Sequence, residues 1–164
     1  MKKSILLVAI LAFVGAATAV AQPRAIGVNL GYGVDLSYQH SLGEANMLDV
    51  SINIPGFNGL GAKVTYDWIN PFGTAIPWDY KGEWKWALGL GASGGMYNLF
   101  DPNEDTHWYV GAAAHVGVEY DFWFPLQLSL DLRPTLGVDN TAGKIGFGLD
   151  GIISGVTLGV RYLL

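Results

Sequence analysis

The sequence predicts an all-β chain: a single closed antiparallel barrel of eight up-and-down strands that spans a membrane, preceded by a cleaved leader. Three observations predict it. Apolar and non-apolar residues alternate over most of the chain, which is the pattern of strands with two unlike faces. After the leader no stretch reaches the roughly 18 apolar residues of a helical span, yet 51% of residues are hydrophobic and only 14% are charged, against about 25% charged in an ordinary soluble domain. The non-apolar face consists of Gly, Ala and Ser with a few charges of both signs, unlike the Lys, Glu and Thr of a solvated sheet. That composition separates a membrane barrel from a soluble ligand-carrying barrel, which is apolar within and polar without.

The leader is read from Met1-Lys2-Lys3, an apolar stretch from Ile5 to Val14, and small residues around Ala19-Val20-Ala21. Cleavage is expected after Ala21, so residues 1–21 are signal peptide and 22–164 form one barrel domain. Loss of Lys2 and Lys3 leaves 7 of the 9 basic residues against 14 acids. The resulting net charge of −7 disfavours nucleic acid as a partner. The chain has no cysteine, which removes disulfides, thiolate metal sites and a lipid-modified N-terminal Cys.

The strands follow in order. Alternation runs from Ile26 to His40, longer than the 9 to 11 residues of a tilted spanning strand. Gly31-Tyr32-Gly33 offers a tight turn in its middle, so it is split into strands 25–31 and 34–40. Next come 46–54 and 60–69, divided by the turn-forming cluster Pro55-Gly56-Phe57-Asn58-Gly59. Strands 84–97, 107–120 and 126–136 follow, and the last lies within 147–164 with a register break near Ser154. An even count puts both termini at one end. The long 70–83 connection then lies at that end too. A rival threading keeps 25–40 as one strand and divides the C-terminal segment in two, which would move that connection to the other end.

Aromatic residues fall at strand ends in this threading, as expected of amphipathic rings at membrane interfaces. Tyr38, Tyr66, Trp68, Trp84, Trp86, Tyr120, Trp123 and Tyr162 form a girdle at the end that carries the termini. Tyr32, Phe57, Tyr97, Phe100 and Trp108 lie at the other end.

The inward face carries Asp35, Asp49, Lys63, Asp67, Lys85, Glu119, Asp131, Arg133 and Arg161, five acids and four bases, with His115 as a fifth base. Near balance suits a dry, narrow lumen, where an unpaired charge costs several kcal/mol. The threading groups Asp49, Asp67, Lys85, Glu119 and Arg161 near the termini and Asp35, Lys63, Asp131 and Arg133 further up. Two stacked ion networks that plug the barrel are therefore expected, with Arg161 beside Glu119, Asp49 or Asp67.

No chemistry-bearing motif stands out. His115 and Glu119 share a face, but four residues of strand separate them by about 13 Å. His40 lies on the outward face, and His107 borders the acidic loop Asp101-Pro102-Asn103-Glu104-Asp105. That loop opens like a calcium loop, then places Thr106 where Gly is needed and Ala112 where a bidentate Glu belongs. Gly89, Gly91, Gly94, Gly95, Gly111 and Gly117 lie inside strands and precede no helix, so they indicate curvature and a crowded lumen rather than a phosphate site. No cofactor, metal or catalytic residue is assigned.

The segments Ala25-Ile26-Gly27-Val28-Asn29-Leu30-Gly31-Tyr32-Gly33, Ser37-Tyr38-Gln39-His40, Pro125-Leu126-Gln127-Leu128-Ser129-Leu130-Asp131-Leu132-Arg133-Pro134 and Val160-Arg161-Tyr162-Leu163-Leu164 resemble the small eight-stranded outer-membrane β-barrel family of Gram-negative bacteria. The resemblance covers the whole chain after the leader. It implies residence in the outer membrane, contact with outer-membrane lipid, and recognition of strand 155–164 by the barrel-assembly machinery. The chain ends in Leu164 where that family usually ends in Phe. The family carries no agreed activity. The expected role is structural or surface interaction without catalysis, ahead of a narrow conduit for small or lipophilic solutes and of a lipid-modifying enzyme.

Overall fold

The computed structural model describes residues 22–73, 81–101, 103–141, 144–150 and 155–164. The expected leader and the register break near Ser154 lie outside the described residues. Strands β1 (Gln22–Leu30), β2 (Gly33–Ser41), β3 (Asn46–Pro55), β4 (Gly59–Pro71) and β5 (Gly82–Tyr97) are followed by β6 (His107–Phe122), β7 (Gln127–Leu132), β8 (Thr135–Thr141), β9 (Lys144–Asp150) and β10 (Val156–Leu163). All pairings are antiparallel, and no α-helix occurs among the described residues.

These ten segments form eight barrel strands. β6 pairs with β7 through Val116↔Leu132 and with β8 through Ala113↔Thr135, so β7 and β8 are two halves of one wall strand. Arg133 and Pro134 separate the halves, because Pro has no N–H for the ladder. The wall stays bonded across the break: Ala114 N donates to Pro134 O (2.9 Å) and Arg133 N to Gly155 O (3.0 Å). β9 pairs with β8 and β10 with β7, so these two segments make up the eighth strand. β10 then pairs with β1 from Ala25↔Leu163 to Leu30↔Leu158, and this seam closes the barrel.

The split of 25–40 into two strands is what the structure has. Leu30 faces Val34 across a turn at Gly31-Tyr32. The β3–β4 turn is of the mirror-image hairpin kind, with φ of 56° at Gly56 and 59° at Phe57 and Asn58 N donating to Pro55 O (3.1 Å). The connections at 42–45 and 123–126, and the strand ends at Pro71 and Gly82, therefore lie at the end that carries Gln22 and Leu164. The turns at 31–32 and 56–58 and the strand ends at Tyr97 and His107 lie at the opposite end, where β5, β6 and β8 extend beyond the short β1–β2 hairpin.

The barrel is inverted relative to a soluble protein. Among the described residues 17 polar or charged side chains are buried, against five apolar ones, Ala25, Met47, Ile69, Ala87 and Ala113. The outward face carries Leu36, Ile52, Val64, Leu88, Leu90, Val116, Leu130 and Leu158, each between 42% and 62% exposed. Such an apolar exterior far exceeds the few hundred Å² that a soluble monomer leaves open.

Candidate functional site

The lumen holds charged side chains from most of the wall strands, and strand alternation puts all but Arg24 there. The fully buried middle is built on Arg133 and Arg161. Arg133 grips Asp49 with two parallel bonds, Nη1 to Oδ1 (2.7 Å) and Nη2 to Oδ2 (2.9 Å), a bidentate geometry that only a guanidinium offers. Arg161 donates to Ser37 Oγ (2.8 Å), Asn29 Oδ1 (2.8 Å), Ser129 Oγ (2.7 Å), Gln127 Oε1 (3.0 Å) and Asp131 Oδ2 (3.2 Å). It lies 3.9 Å from Asp49. His115 bridges Asp67 Oδ2 (2.7 Å at Nδ1) and Asp131 Oδ1 (3.0 Å at Nε2). A ring with both protons donates to both carboxylates, and with Arg133 and Arg161 it then balances Asp49, Asp67 and Asp131 charge for charge.

Glycine makes this cluster possible. A Cβ at Gly89 would lie 1.6 Å from Asp67 Oδ1, one at Gly117 2.4 Å from Asp131 Oδ1, and one at Gly159 2.2 Å from Ser129 Oγ. Each of these positions faces the lumen beside a large polar group, so their lack of a side chain is a packing requirement. The crowded lumen expected from the sequence is found at Gly89 and Gly117.

A second network lies toward the termini. Lys85 Nζ meets Asp121 Oδ2 (2.7 Å) and Glu83 Oε2 (2.9 Å), while Arg24 pairs closely with Glu119 and reaches Asp121 at 3.4 Å. Two glutamines join the networks. Gln39 accepts from Arg24 and donates to Asp49 (3.3 Å), and Gln127 donates to Asp121 (2.9 Å) while accepting from Arg161. The expected grouping of Asp49, Asp67 and Arg161 with Lys85 and Glu119 differs from this arrangement. Those three belong to the central cluster with Asp131 and Arg133, because barrel strands tilt and stagger and equal distance from a turn is not equal height. Glu119 has Arg24 rather than Arg161 as its partner.

Arg24 was not among the expected lumen residues, and periodicity carries no signal for it. It is the extra residue of a bulge between Pro23 and Ala25 in the β1–β2 ladder, and bulges re-aim a side chain against the strand's alternation. Asp121, Glu83 and the two glutamines were also not singled out; the glutamines lie at inward positions, which is the one sequence signal they offer.

Above the central cluster the lumen opens into a cavity at the end opposite the termini. Asp35 and Lys63 stand in its wall, and Arg133 is its floor. Lys63 Nζ donates to the Arg133 carbonyl (2.7 Å). Tyr97, expected at this end, faces inward there and stacks on Tyr109 with centroids 5.0 Å apart. Gly61 and Gly95 leave the room that the Tyr109 ring takes.

Outside, seven of the eight aromatic residues expected near the termini lie on the outward face at that end, and Trp123 lies in the turn between β6 and β7. Tyr66 packs edge-on against Trp68 (5.2 Å), and Trp84 meets Tyr120 at a tilt (4.9 Å, 48°). Tyr38 Oη contacts His40 Nδ1 at 2.8 Å. Ile26 links Tyr38 to Tyr162 across the closing seam. Trp86 is 37% and Trp123 71% exposed.

The central cluster does not assemble a nucleophile and its base. Ser129 Oγ donates to Asp131 (2.7 Å), and Asp131 stands between it and His115, whereas nucleophilic catalysis needs the ring on the hydroxyl. Asp49, Asp67 and His115 lie close enough to share a cation, but two guanidinium groups already occupy that neighbourhood and both ring nitrogens are engaged. No family model matches this chain, and neither does any curated protein or solved structure.

Proposed function

We propose that the chain is an integral outer-membrane β-barrel, exported with a signal peptide cleaved after Ala21, with a structural or surface-interaction role and a lumen closed by charge. One observation carries the reading: the barrel buries its ions and exposes its aliphatic residues. In water that arrangement forfeits the hydrophobic effect that folds soluble domains; in hydrocarbon the paired strands keep their backbone groups bonded and the aliphatic face needs no water. The aromatic residues near the termini suit one headgroup region, and Tyr32, Phe57 and Phe100 at the other end suit the second. Resemblance of the strand segments to the small outer-membrane barrels adds the location, and strand 155–164 is the segment that assembly machinery would engage.

The plug argues for a non-conducting barrel, since a passage would have to cut through the Arg133–Asp49 and Arg161–Asp131 pairs. The test is expression in a Gram-negative host with fractionation, N-terminal mass spectrometry and planar-bilayer recording. The proposal expects recovery in the outer membrane after a carbonate wash, a mature N-terminus at Gln22, and no steps of conductance. Recovery in the soluble fraction, an uncleaved leader or steady single-channel currents would each contradict its corresponding part.

A further inference from the structure

We propose that the cavity at the mouth of the barrel is a binding site for a neutral, hydroxyl-rich group of about one sugar unit. Its volume is about 80 Å³ and it is open on one side; at roughly 10–15 Å³ per water this is space for about half a dozen waters. Seven of the eight wall strands contribute to it, so it is a formed cup rather than a surface dimple.

The chemistry of the wall selects the ligand. Four of its side chains carry a buried polar atom with no hydrogen-bond partner within the protein: Asn53 Oδ1, Ser93 Oγ, Arg133 Nε and Thr157 Oγ1. Ser93, Arg133 and Thr157 are each more than nine-tenths buried. Native proteins leave few such atoms unpaired; none of the four is reached by a water-sized group as the side chains stand, and rotation of Ser93, Thr157 or Asn53 within the cavity wall would bring its polar atom to a bound group. The four comprise an amide acceptor, an N–H donor and two hydroxyls that do both. A ligand hydroxyl also does both, so a polyol matches this mixed set where a pure acceptor or a pure donor does not.

The ionic groups at the cavity argue against a charged ligand. Arg133 spends both terminal nitrogens on Asp49, Lys63 donates to the Arg133 carbonyl, and Asp35 interacts electrostatically with both. An incoming ion would unbalance charges that already face one another. On one side of the cup the stacked Tyr97 and Tyr109 supply the flat apolar wall against which a sugar ring can lie. That the mouth points outward from the cell, and so toward glycans, rests on the outer-membrane reading; binding itself does not.

The test is NMR titration of the ¹⁵N-labelled protein, residues 22–164, refolded in detergent micelles. Probes are D-glucose, D-galactose, N-acetyl-D-glucosamine and, separately, inorganic phosphate. The inference expects saturable shifts at the amides of Asp35, Asn53, Ser93 and Thr157 with at least one sugar. Thr157→Val, which keeps shape and loses one hydroxyl, should weaken binding about fivefold. Ser93→Leu, which fills the cup, should weaken it at least tenfold. Absence of saturable shifts with all three sugars, binding of phosphate alone, or undiminished binding by the folded Thr157→Val protein would overturn the inference. Because the titration is done in micelles, its failure leaves the membrane reading intact, and a cytosolic location would leave the titration interpretable.

Discussion

Replacing Arg133 by Met isolates the bidentate ion pair of the central cluster. Arg133 is 2% exposed and holds Asp49, 1% exposed, by two charge-assisted bonds of 2.7 and 2.9 Å. Without it, Asp49 keeps Gln39 Nε2 at 3.3 Å and Arg161 at 3.9 Å, neither of which replaces a bidentate partner. Breaking a buried pair from one side costs about 3–5 kcal/mol, because the remaining charge stays desolvated. That is a loss of roughly 10²- to 10⁴-fold in the folding equilibrium. Removing both partners, as Arg133→Met with Asp49→Leu, leaves no orphan charge and should cost at most about half as much. Equilibrium urea unfolding in micelles, followed by tryptophan fluorescence, measures all three proteins; the chain has 6 Trp. A single variant within about 1 kcal/mol of the parent, or a double variant as unstable as the two singles combined, would refute the reasoning from geometry to energy.

Gly89→Ala and Gly117→Ala place a methyl 1.6 and 2.4 Å from carboxylate oxygens of the central cluster, and each should cost about 1–3 kcal/mol as overpacking. Gly43→Ala, with nothing within 4 Å, should stay within about 0.5 kcal/mol of the parent in the same unfolding assay. On the outward face, Leu130→Arg and Leu90→Arg, at 60% and 62% exposure, should cost about 2–4 kcal/mol in lipid vesicles if they lie near the midplane. The equally exposed turn residue Tyr32 should accept Arg at little cost, and equal effects at all three sites would count against a hydrocarbon belt.

Much of the fold was legible because a strand's period of two is a local property. The split at Gly31-Tyr32-Gly33, the β3–β4 turn and the inward placement of Asp49, His115 and Arg161 all follow from alternation and turn chemistry. Heights within the lumen were not legible, since they depend on the stagger between strands that closure imposes. That is why Asp49, Asp67 and Arg161 join Asp131 and Arg133 rather than Glu119. Arg24 was hidden for a different reason: a bulge turns it inward and so breaks the rule by which its neighbours are read. The wall break at Arg133-Pro134 extends the seventh strand to Thr141, beyond the 126–136 expected, because carbonyl-side bonds carry the ladder past the proline. Tyr97 is read from the sequence only as a ring near a strand end; its parity with Ser93 and Gly95 faces it into the mouth.

The most direct test of the inverted barrel uses the absence of native cysteine. Single cysteines at Val156, Leu158, Ser129 and Leu130, spin-labelled in lipid vesicles, report collisions with oxygen, which partitions into lipid, and with a water-soluble nickel chelate. The account predicts that labels at Val156, Leu158 and Leu130 collide preferentially with oxygen, while Ser129 is shielded from both. Preferential collision of the three outward labels with the nickel reagent would contradict it.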